Sequence, residues 1–162
     1  LVNISGSSVT LFDAVTNEPW KFVDDYKDST PGLEYYFPTG IPVTMSAGER
    51  ILLVKNVTAF NAKFGAPGTQ ILAWNGGSIS NAGERLQLSM PGDIDGEGVR
   101  TYIRVGRINF SDGSHPEDYP ELPGDPWPTA PDGFGNSLDR IIESSYGNDV
   151  GNWQVGAVSP GI

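Results

Sequence analysis

Residues 83–110, GERLQLSMPGDIDGEGVRTYIRVGRINF, decide the fold. The apolar residues of the first half fall at every second position, at Leu86, Leu88 and Met90. The second half alternates in the same way, at Val99, Thr101, Ile103 and Val105, before the pattern slips to Ile108 and Phe110. A period of two is that of a β-strand with one face in water. Gly106 stands where the pattern slips, and this predicts a β-bulge in the second strand.

Short apolar runs separated by turn residues fill most of the remaining chain, which is the spacing expected of a β-sandwich. Further strands are predicted at residues 9–12, 35–37, 41–45, 51–54, 71–74, 138–142 and 153–155. Residues 24–34 and 111–136 have no period and are predicted to be long loops, and Asn75-Gly76 predicts a tight turn. The segment AGERILL at 47–53 is echoed by AGERLQL at 82–88, and each copy is expected to be a turn that leads into a strand.

One short helix is predicted after residue 56. Asn56 is a favourable N-cap, and Gly65 can end the helix. Val57, Phe60 and Phe64 lie on one face of such a helix. A helix of about two turns is unstable alone, so we expect packing to hold it.

The composition of the chain limits the kinds of protein to which it can belong and the partners that it can bind. Its 162 residues suit a single domain, and the absence of cysteine excludes disulfides and a cysteine nucleophile. The formal net charge of −10 disfavours nucleic acid and anionic membranes as partners. No apolar stretch is long enough to span a bilayer, so no membrane insertion is expected. An acidic, cysteine-free chain rich in Gly, Asn and Asp is typical of an extracellular or cell-surface location.

A set of short motifs runs along nearly the whole chain. They are LVNIS at 1–5, SAGER at 46–50, FNAKFG at 60–65, LAW at 72–74, SNAGERL at 80–86, DPWP at 125–128, GNSL at 135–138 and NW at 152–153. In this order and spacing they resemble the lamin-tail domain family, in its bacterial extracellular form. The resemblance implies one immunoglobulin-like β-sandwich over residues 1–162, with one short helix and long loops, and no catalytic residues. It also implies a structural or protein-binding module of a larger secreted or cell-surface protein.

The chain departs from the family at its start, where Leu1 begins inside an expected strand. Lamin-tail domains usually open with one further strand upstream of the segment that LVNIS resembles. The first sheet is therefore expected to lack a strand and to expose an unpaired edge. That strand is either trimmed or supplied by another chain through β-addition.

The loop GDIDGEG at 92–98 is the sharpest candidate for a metal site. Its carboxylates, Asp93, Asp95 and Glu97, fall at every second position in a glycine-rich loop and can curl around Ca²⁺, which prefers six to eight oxygen ligands. The loop matches only part of an EF-hand pattern. The alternative interpretation is a solvated hairpin loop in which Asp and Gly form the turn.

A second polar cluster, DGSHPED at 112–118, contains the only histidine, His115. A lone histidine without a nucleophile motif is weak support for catalysis, so we interpret this segment as a surface loop fixed by hydrogen bonds from His115. An enzyme would need a cleft with convergent polar groups and perturbed pKa values. Paired acids of that kind are not visible in a sequence, because their spacing is three-dimensional.

The aromatic residues fall into two sets. Trp74, Trp127 and Trp153 lie in the fold motifs and are predicted to be core residues. A candidate ligand patch consists of Trp20, Tyr26, Tyr35 and Tyr36, in the acidic N-terminal region. If these rings are exposed and coplanar, the chain is instead a carbohydrate-binding module, with a glycan rather than a protein as partner.

Overall fold

The computed structural model describes residues 1–24, 32–74 and 76–160. Its strands are β1 (Val9–Thr10), β2 (Phe12–Asp13), β3 (Glu18–Pro19), β4 (Lys21–Asp24), β5 (Glu34–Tyr36), β6 (Thr44–Met45), β7 (Ile51–Val54), β8 (Gln70–Ala73), β9 (Gly83–Ile94), β10 (Arg100–Ser111), β11 (Asn136–Arg140) and β12 (Trp153–Ala157). The helix α1 spans Val57–Phe64, and 3₁₀ turns lie at Pro116–Asp118 and Val150–Asn152. Strands make up 39% and helices 9%, which confirms the predicted all-β class.

The largest sheet has four antiparallel strands in the order β10-β9-β4-β5. It is built on the β9–β10 hairpin, as the alternating segment predicted. The bulge at Gly106 is confirmed: Arg104 pairs with Ser89 and Gly106 with Leu88, so Val105 is the extra residue. Because β4 pairs only with residues 86–89 of β9, the far end of the hairpin extends beyond the sheet. Ile103 pairs with Met90, just past the residues of β9 that β4 contacts, and Val105 is the bulged residue, so both stay half exposed although they fit a strand period.

The other strands of the described residues pair in twos. They form β1–β6, β2–β3 and β11–β12, all antiparallel, and β7–β8, which is parallel. A sandwich of two larger sheets is therefore not established by the strand pairing, and the immunoglobulin-like arrangement stays a prediction. No described helix is long and apolar enough to cross a membrane.

Two adjoining groups of buried side chains form the core. The first contains Leu11, Phe37, Val43, Met45 and Ile51, and the second contains Leu33, Trp74 and Leu86. Phe22 and Tyr35 pack against both groups and so join them. Complete burial of a side chain such as Phe37 or Ile51 contributes about 1.5–3 kcal/mol. The core therefore lies on one face of the four-stranded sheet, since Phe22, Tyr35 and Leu86 share that face.

The predicted helix is confirmed together with both of its caps. Asn56 Oδ1 accepts a hydrogen bond from the Ala59 amide at 2.9 Å, and the Gly65 amide donates to the Asn61 carbonyl. Gly65 has φ of 77°, a left-handed conformation that favours glycine. Phe60 and Phe64 stack with centroids 5.0 Å apart. No residue of α1 is buried, so the helix depends on these local interactions more than on the core.

The first five residues form less regular structure than the motif LVNIS predicts. An isolated bridge, Val2 to Arg50, is flanked by backbone hydrogen bonds: Leu1 and Ile51 exchange two, and the Asn3 amide donates to the Glu49 carbonyl. The buried Asn3 side chain adds to these links, since its amide nitrogen donates to the carbonyls of Ser7, Met45 and Ser46 at 2.9–3.0 Å. The segment is therefore held both by short antiparallel pairing and by a buried side chain.

Candidate functional site

The face of the four-stranded sheet that points away from the core is the broadest feature of the described chain, and we call it the outer face. Successive residues of a strand point to opposite sides, so the register assigns each residue to one face. One row of the outer face runs across the strands through Tyr36, Lys21, Ser89 and Arg104. The next row runs through Glu34, Val23, Gln87 and Arg107. The outer face thus carries mainly long polar and charged side chains.

Basic residues are concentrated on the outer face. Besides Lys21, Arg104 and Arg107, the strand β9 places Arg85 on this face, two residues before Gln87. These four are a large share of the ten Lys and Arg residues in a chain with a net charge of −10. In the two rows only Glu34 is acidic. The outer face is therefore locally cationic on an acidic protein.

Two tyrosines flank the cationic rows. Tyr36 is 47% exposed at the β5 end. Tyr102 pairs with Pro91 at the other end, and the Lys21 ammonium lies 4.0 Å from the centre of its ring. Such a cation–π contact holds the lysine above the sheet. Partial burial, and then the Glu34 carboxylate, raise the pKa of Tyr36, so its hydroxyl remains a neutral hydrogen-bond donor.

Ser89 is the small residue at the centre of the outer face. It is completely buried between Lys21 and Arg104 on the neighbouring strands. Gln87 donates from Nε2 to Ser89 Oγ at 3.0 Å, which fixes the amide of Gln87 on the surface. The Lys21 side chain, which reaches across β9 to the Tyr102 ring, helps to cover Ser89.

The predicted aromatic ligand patch is divided by the structure. Tyr35 and Trp20 pack against the core, whereas Tyr36 lies on the outer face, because adjacent strand residues point in opposite directions. Tyr26 lies outside the described residues. The four rings therefore do not form the single surface on which that prediction depended, and only Tyr36 contributes to an exposed one.

Of the tryptophans predicted to be core residues, Trp74 and Trp127 are buried, with 9% and 5% of their surface exposed. Trp153 is partly buried. Its ring centre is 6.3 Å from that of Trp127, and its Nε1 donates to the Gly147 carbonyl. All three therefore serve the packing of the fold.

The carboxylates of the predicted calcium loop are used differently from metal ligands. Asp95 Oδ1 accepts hydrogen bonds from the amides of Glu97 and Val99 at 3.0 and 2.9 Å, and so closes the hairpin turn. The Asp93 carbonyl accepts from the Thr101 hydroxyl. Across residues 1–24, 32–74 and 76–160, no group of three or more His, Asp or Glu residues is placed to hold a metal ion. The geometry therefore supports the solvated hairpin, and calcium stays a prediction.

The segment around His115 is tied together by hydrogen bonds, as expected for a structured surface loop. His115 Nδ1 lies 3.0 Å from Glu117 Oε1, and this hydrogen bond, with the Asp112 charge, raises the pKa of the imidazole.

Sequence reasoning missed the central role of Asp125. Its carboxylate accepts from the amides of His115 and Trp127, at 3.1 and 3.0 Å, and from the Ser111 hydroxyl. The DPWP motif thus fastens the loop to the end of β10.

A polar cleft lies at the end of the sheet where β4 stops and β9 begins. It has a volume of about 570 Å³, and Asp24, Glu84, Arg85, His115 and Tyr119 are among the residues that line it. Glu84 is buried, with 9% of its surface exposed, and accepts from the Ser80 amide at 3.3 Å. Burial, and then the charge of Asp24, raise the pKa of Glu84 from 4.5 to about 7.

The repeated motif AGER explains how Glu84 reaches this position. In the first copy, Glu49 accepts from the Ser46 amide at 2.7 Å, at a turn near the surface. In the second copy Glu84 accepts from the amide of Ser80, one residue further back than in the first copy, and there the turn lies beside Asp24. The echo was visible in the sequence, but the partner carboxyl is sixty residues away along the chain.

Comparisons with known proteins give no match: no family model, no curated protein and no solved structure resembles this chain closely enough to be reported as similar. The function of the chain must therefore be inferred from its own residues. The outer face and the Glu84 cleft are two of the places where the described residues concentrate functional groups, and a cavity of about 750 Å³ lined by Arg50, Arg140 and Glu143 is another.

Proposed function

We propose that the chain is a non-catalytic binding module of an extracellular or cell-surface protein, and that it contacts its partner through the outer face. One observation carries the proposal: an open four-stranded face bears Lys21, Arg104 and Arg107 beside the exposed ring of Tyr36. Charged and aromatic side chains on a regular sheet give a rigid surface for recognition. The resemblance to lamin-tail domains supports a module of this type, with an immunoglobulin-like sandwich.

A glycan is the second candidate for the partner, and a specific observation favours it. Tyr36 and Tyr102 lie on the two outer strands of the sheet, with the Lys21 side chain between them and the hydrogen-bonded amide of Gln87 in the next row. Aromatic rings combined with fixed polar groups suit sugar rings, which present both apolar faces and hydroxyls. In that case the chain is a carbohydrate-binding module of the same architecture.

Strand addition by another chain remains a further proposal for the partner. β10 is the outermost strand of the large sheet, and its exposed side chains Ile103 and Val105 would contact an added strand. The bulge at Val105 and the bond from the Asn109 amide to Asn148 Oδ1 both interrupt this edge. Bulged edges resist pairing with other strands, so we favour the outer face over the edge.

The Glu84 cleft has the convergent polar groups and the raised pKa that an enzyme would need, but its acid pair also has a structural use. The carboxyls of Glu84 and Asp24 interact with each other, and Glu84 also accepts from the Ser80 amide. These contacts fix a turn at the start of β9. The pair therefore has a structural use that does not require a substrate.

The proposal is tested by immobilising the chain and exposing it to cell-wall polysaccharides and to secreted proteins. The double variant Tyr36→Ala/Arg104→Glu removes the ring and reverses one charge of the outer face, and Lys63→Ala on α1 is the control. We expect the immobilised wild type and the control variant to retain a partner that the face variant does not retain. The partner should be recovered chemically unchanged. If the face variant retains the partner as well as the wild type does, the binding site lies elsewhere on the chain. If the recovered polysaccharide is shortened, the chain is an enzyme.

A further inference from the structure

We propose that the ligand of the outer face is an acidic polysaccharide, an extended chain whose sugar units carry carboxylates. This inference rests on the proposed binding function and names its ligand. The contrast in charge supports it first: Lys21, Arg104 and Arg107 share one face of a chain whose net charge is −10. The ionic atmosphere screens exposed charges beyond about 8 Å at physiological salt. A ligand in contact with the face therefore experiences these cations more strongly than the acidic residues elsewhere on the chain, and the acidic residues close to the face are Glu34 beside Tyr36 and Glu18 near Tyr102.

The spacing of the cations suits a polymer that lies along β10. The backbones of Lys21 on β4 and Arg104 on β10 are two inter-strand steps apart, about 9.6 Å in total. The Lys21 side chain crosses β9 and brings its ammonium over the Tyr102 ring, two residues before Arg104 on β10. Arg107 follows on the same strand in the next row, beside Gln87. The cations thus follow a line and do not surround a point.

The chemistry of each group matches a carboxylated sugar. An arginine guanidinium binds a carboxylate through two parallel hydrogen bonds, which gives Arg104 and Arg107 a defined geometry toward uronate units. The Lys21 ammonium is held 4.0 Å over the Tyr102 ring, so less of its freedom is lost on binding. The exposed Tyr36 ring offers a flat apolar surface on which a sugar ring can stack.

Other acidic partners fit the face less well. The centre of a protein–protein interface is usually apolar and poor in charge, whereas Lys21 and Gln87 lie on the two middle strands of this face. A nucleic acid strand carries a dense row of phosphates, and the acidic remainder of the chain would repel any part that extends past the face. A carboxylated polysaccharide has a lower charge density and needs only a few cations.

The experiment is calorimetric titration of the whole chain with hexagalacturonate, with its methyl-esterified form and with maltohexaose, a neutral hexamer. We expect binding of hexagalacturonate that about 0.5 M NaCl weakens severalfold, since exposed ion pairs are screened. The double variant Arg104→Gln/Arg107→Gln should bind hexagalacturonate at least about tenfold more weakly, because it loses two carboxylate contacts. Lys63→Gln, which removes a positive charge from α1, should stay within about twofold of the wild type.

The controls separate this inference from the function on which it rests. Equal binding of the methyl ester, or tighter binding of a single-stranded oligonucleotide or a poly-glutamate peptide, would overturn the acidic polysaccharide. If only maltohexaose binds, and Tyr36→Ala abolishes that binding, the outer face remains the site but the inference about its ligand fails. If hexagalacturonate binds and Arg104→Gln/Arg107→Gln leaves its affinity unchanged, the inference fails as well. If no ligand of any class depends on the outer face, both proposals fail.

Discussion

Replacing Glu84 with glutamine should change how the stability of the chain depends on pH. The carboxyl of Glu84 has a pKa of about 7 in the folded chain, above its ordinary value of 4.5, because it is buried beside Asp24. Between these two pH values the folded chain keeps a proton that the unfolded chain releases. The free energy of unfolding therefore falls as the pH rises from about 4.5 to 7. The glutamine side chain of the variant keeps an oxygen for the Ser80 amide but carries no charge, so it avoids this loss.

The size of the effect follows from the shift in pKa. A difference of one pKa unit corresponds to about 1.36 kcal/mol, so a shift from 4.5 to about 7 sets an upper bound of about 3.4 kcal/mol. Water in the cleft screens part of this interaction, and we expect about 2 kcal/mol. Glu84→Gln should therefore be more stable than the wild type by about 2 kcal/mol at pH 8 and nearly equal to it at about pH 4.5.

The assay is urea unfolding of the wild type and Glu84→Gln at a series of pH values between about 4.5 and 8. His115 also titrates in this range, but it is present in both proteins and cancels in their difference. Glu49→Gln is the matched control, because Glu49 caps the equivalent turn of the repeated motif. A difference between Glu84→Gln and the wild type that does not change with pH would refute the assignment of a raised pKa to Glu84.

Three further predictions follow from particular contacts. Gly83→Ala should cost more than about 3 kcal/mol of unfolding free energy, because Gly83 has φ of 121° and an added Cβ would lie 2.4 Å from the Phe110 carbonyl oxygen. The control Gly106→Ala should cost less than about 1 kcal/mol, because there is open space around Gly106. Asn56→Ala should cost about 1 kcal/mol in urea unfolding, and Asn56→Asp, which keeps the cap, should recover most of it. Thermal unfolding with millimolar Ca²⁺ or with EDTA should give the same Tm, because Asp95 already closes its turn; a rise of several degrees with Ca²⁺ would place an ion at Asp93, Asp95 and Glu97.

Local signals in the sequence predicted the local parts of this fold well. The cap residues Asn56 and Gly65 gave the bounds of α1, and the slip in apolar period at Gly106 gave the bulge. Both features depend on interactions between residues close in the chain. The same period of two separates Tyr35 from Tyr36, so the division of the aromatic patch between two faces was also implicit in the sequence.

What the sequence did not predict depends on residues far apart in the chain. The parallel pairing of β7 with β8 and the place of β4 between β9 and β5 are set by packing, and no local pattern encodes them. The concentration of Lys21, Arg104 and Arg107 on one face appears only once the register is known. The Glu84 cleft could not be predicted from the sequence either, because Asp24 and Glu84 meet only through the pairing of β4 with β9.

The central claim, that the outer face is the binding site, is tested most directly by mapping a bound ligand on the backbone amide NMR signals of the chain. Hexagalacturonate, or any partner that the binding screen retains, is added in steps. We predict that the largest shifts fall on outer-face residues of β4, β9 and β10, around Lys21, Gln87 and Arg104. Shifts confined to the Glu84 cleft or to the turn at Asp95, with the outer face unchanged, would contradict it.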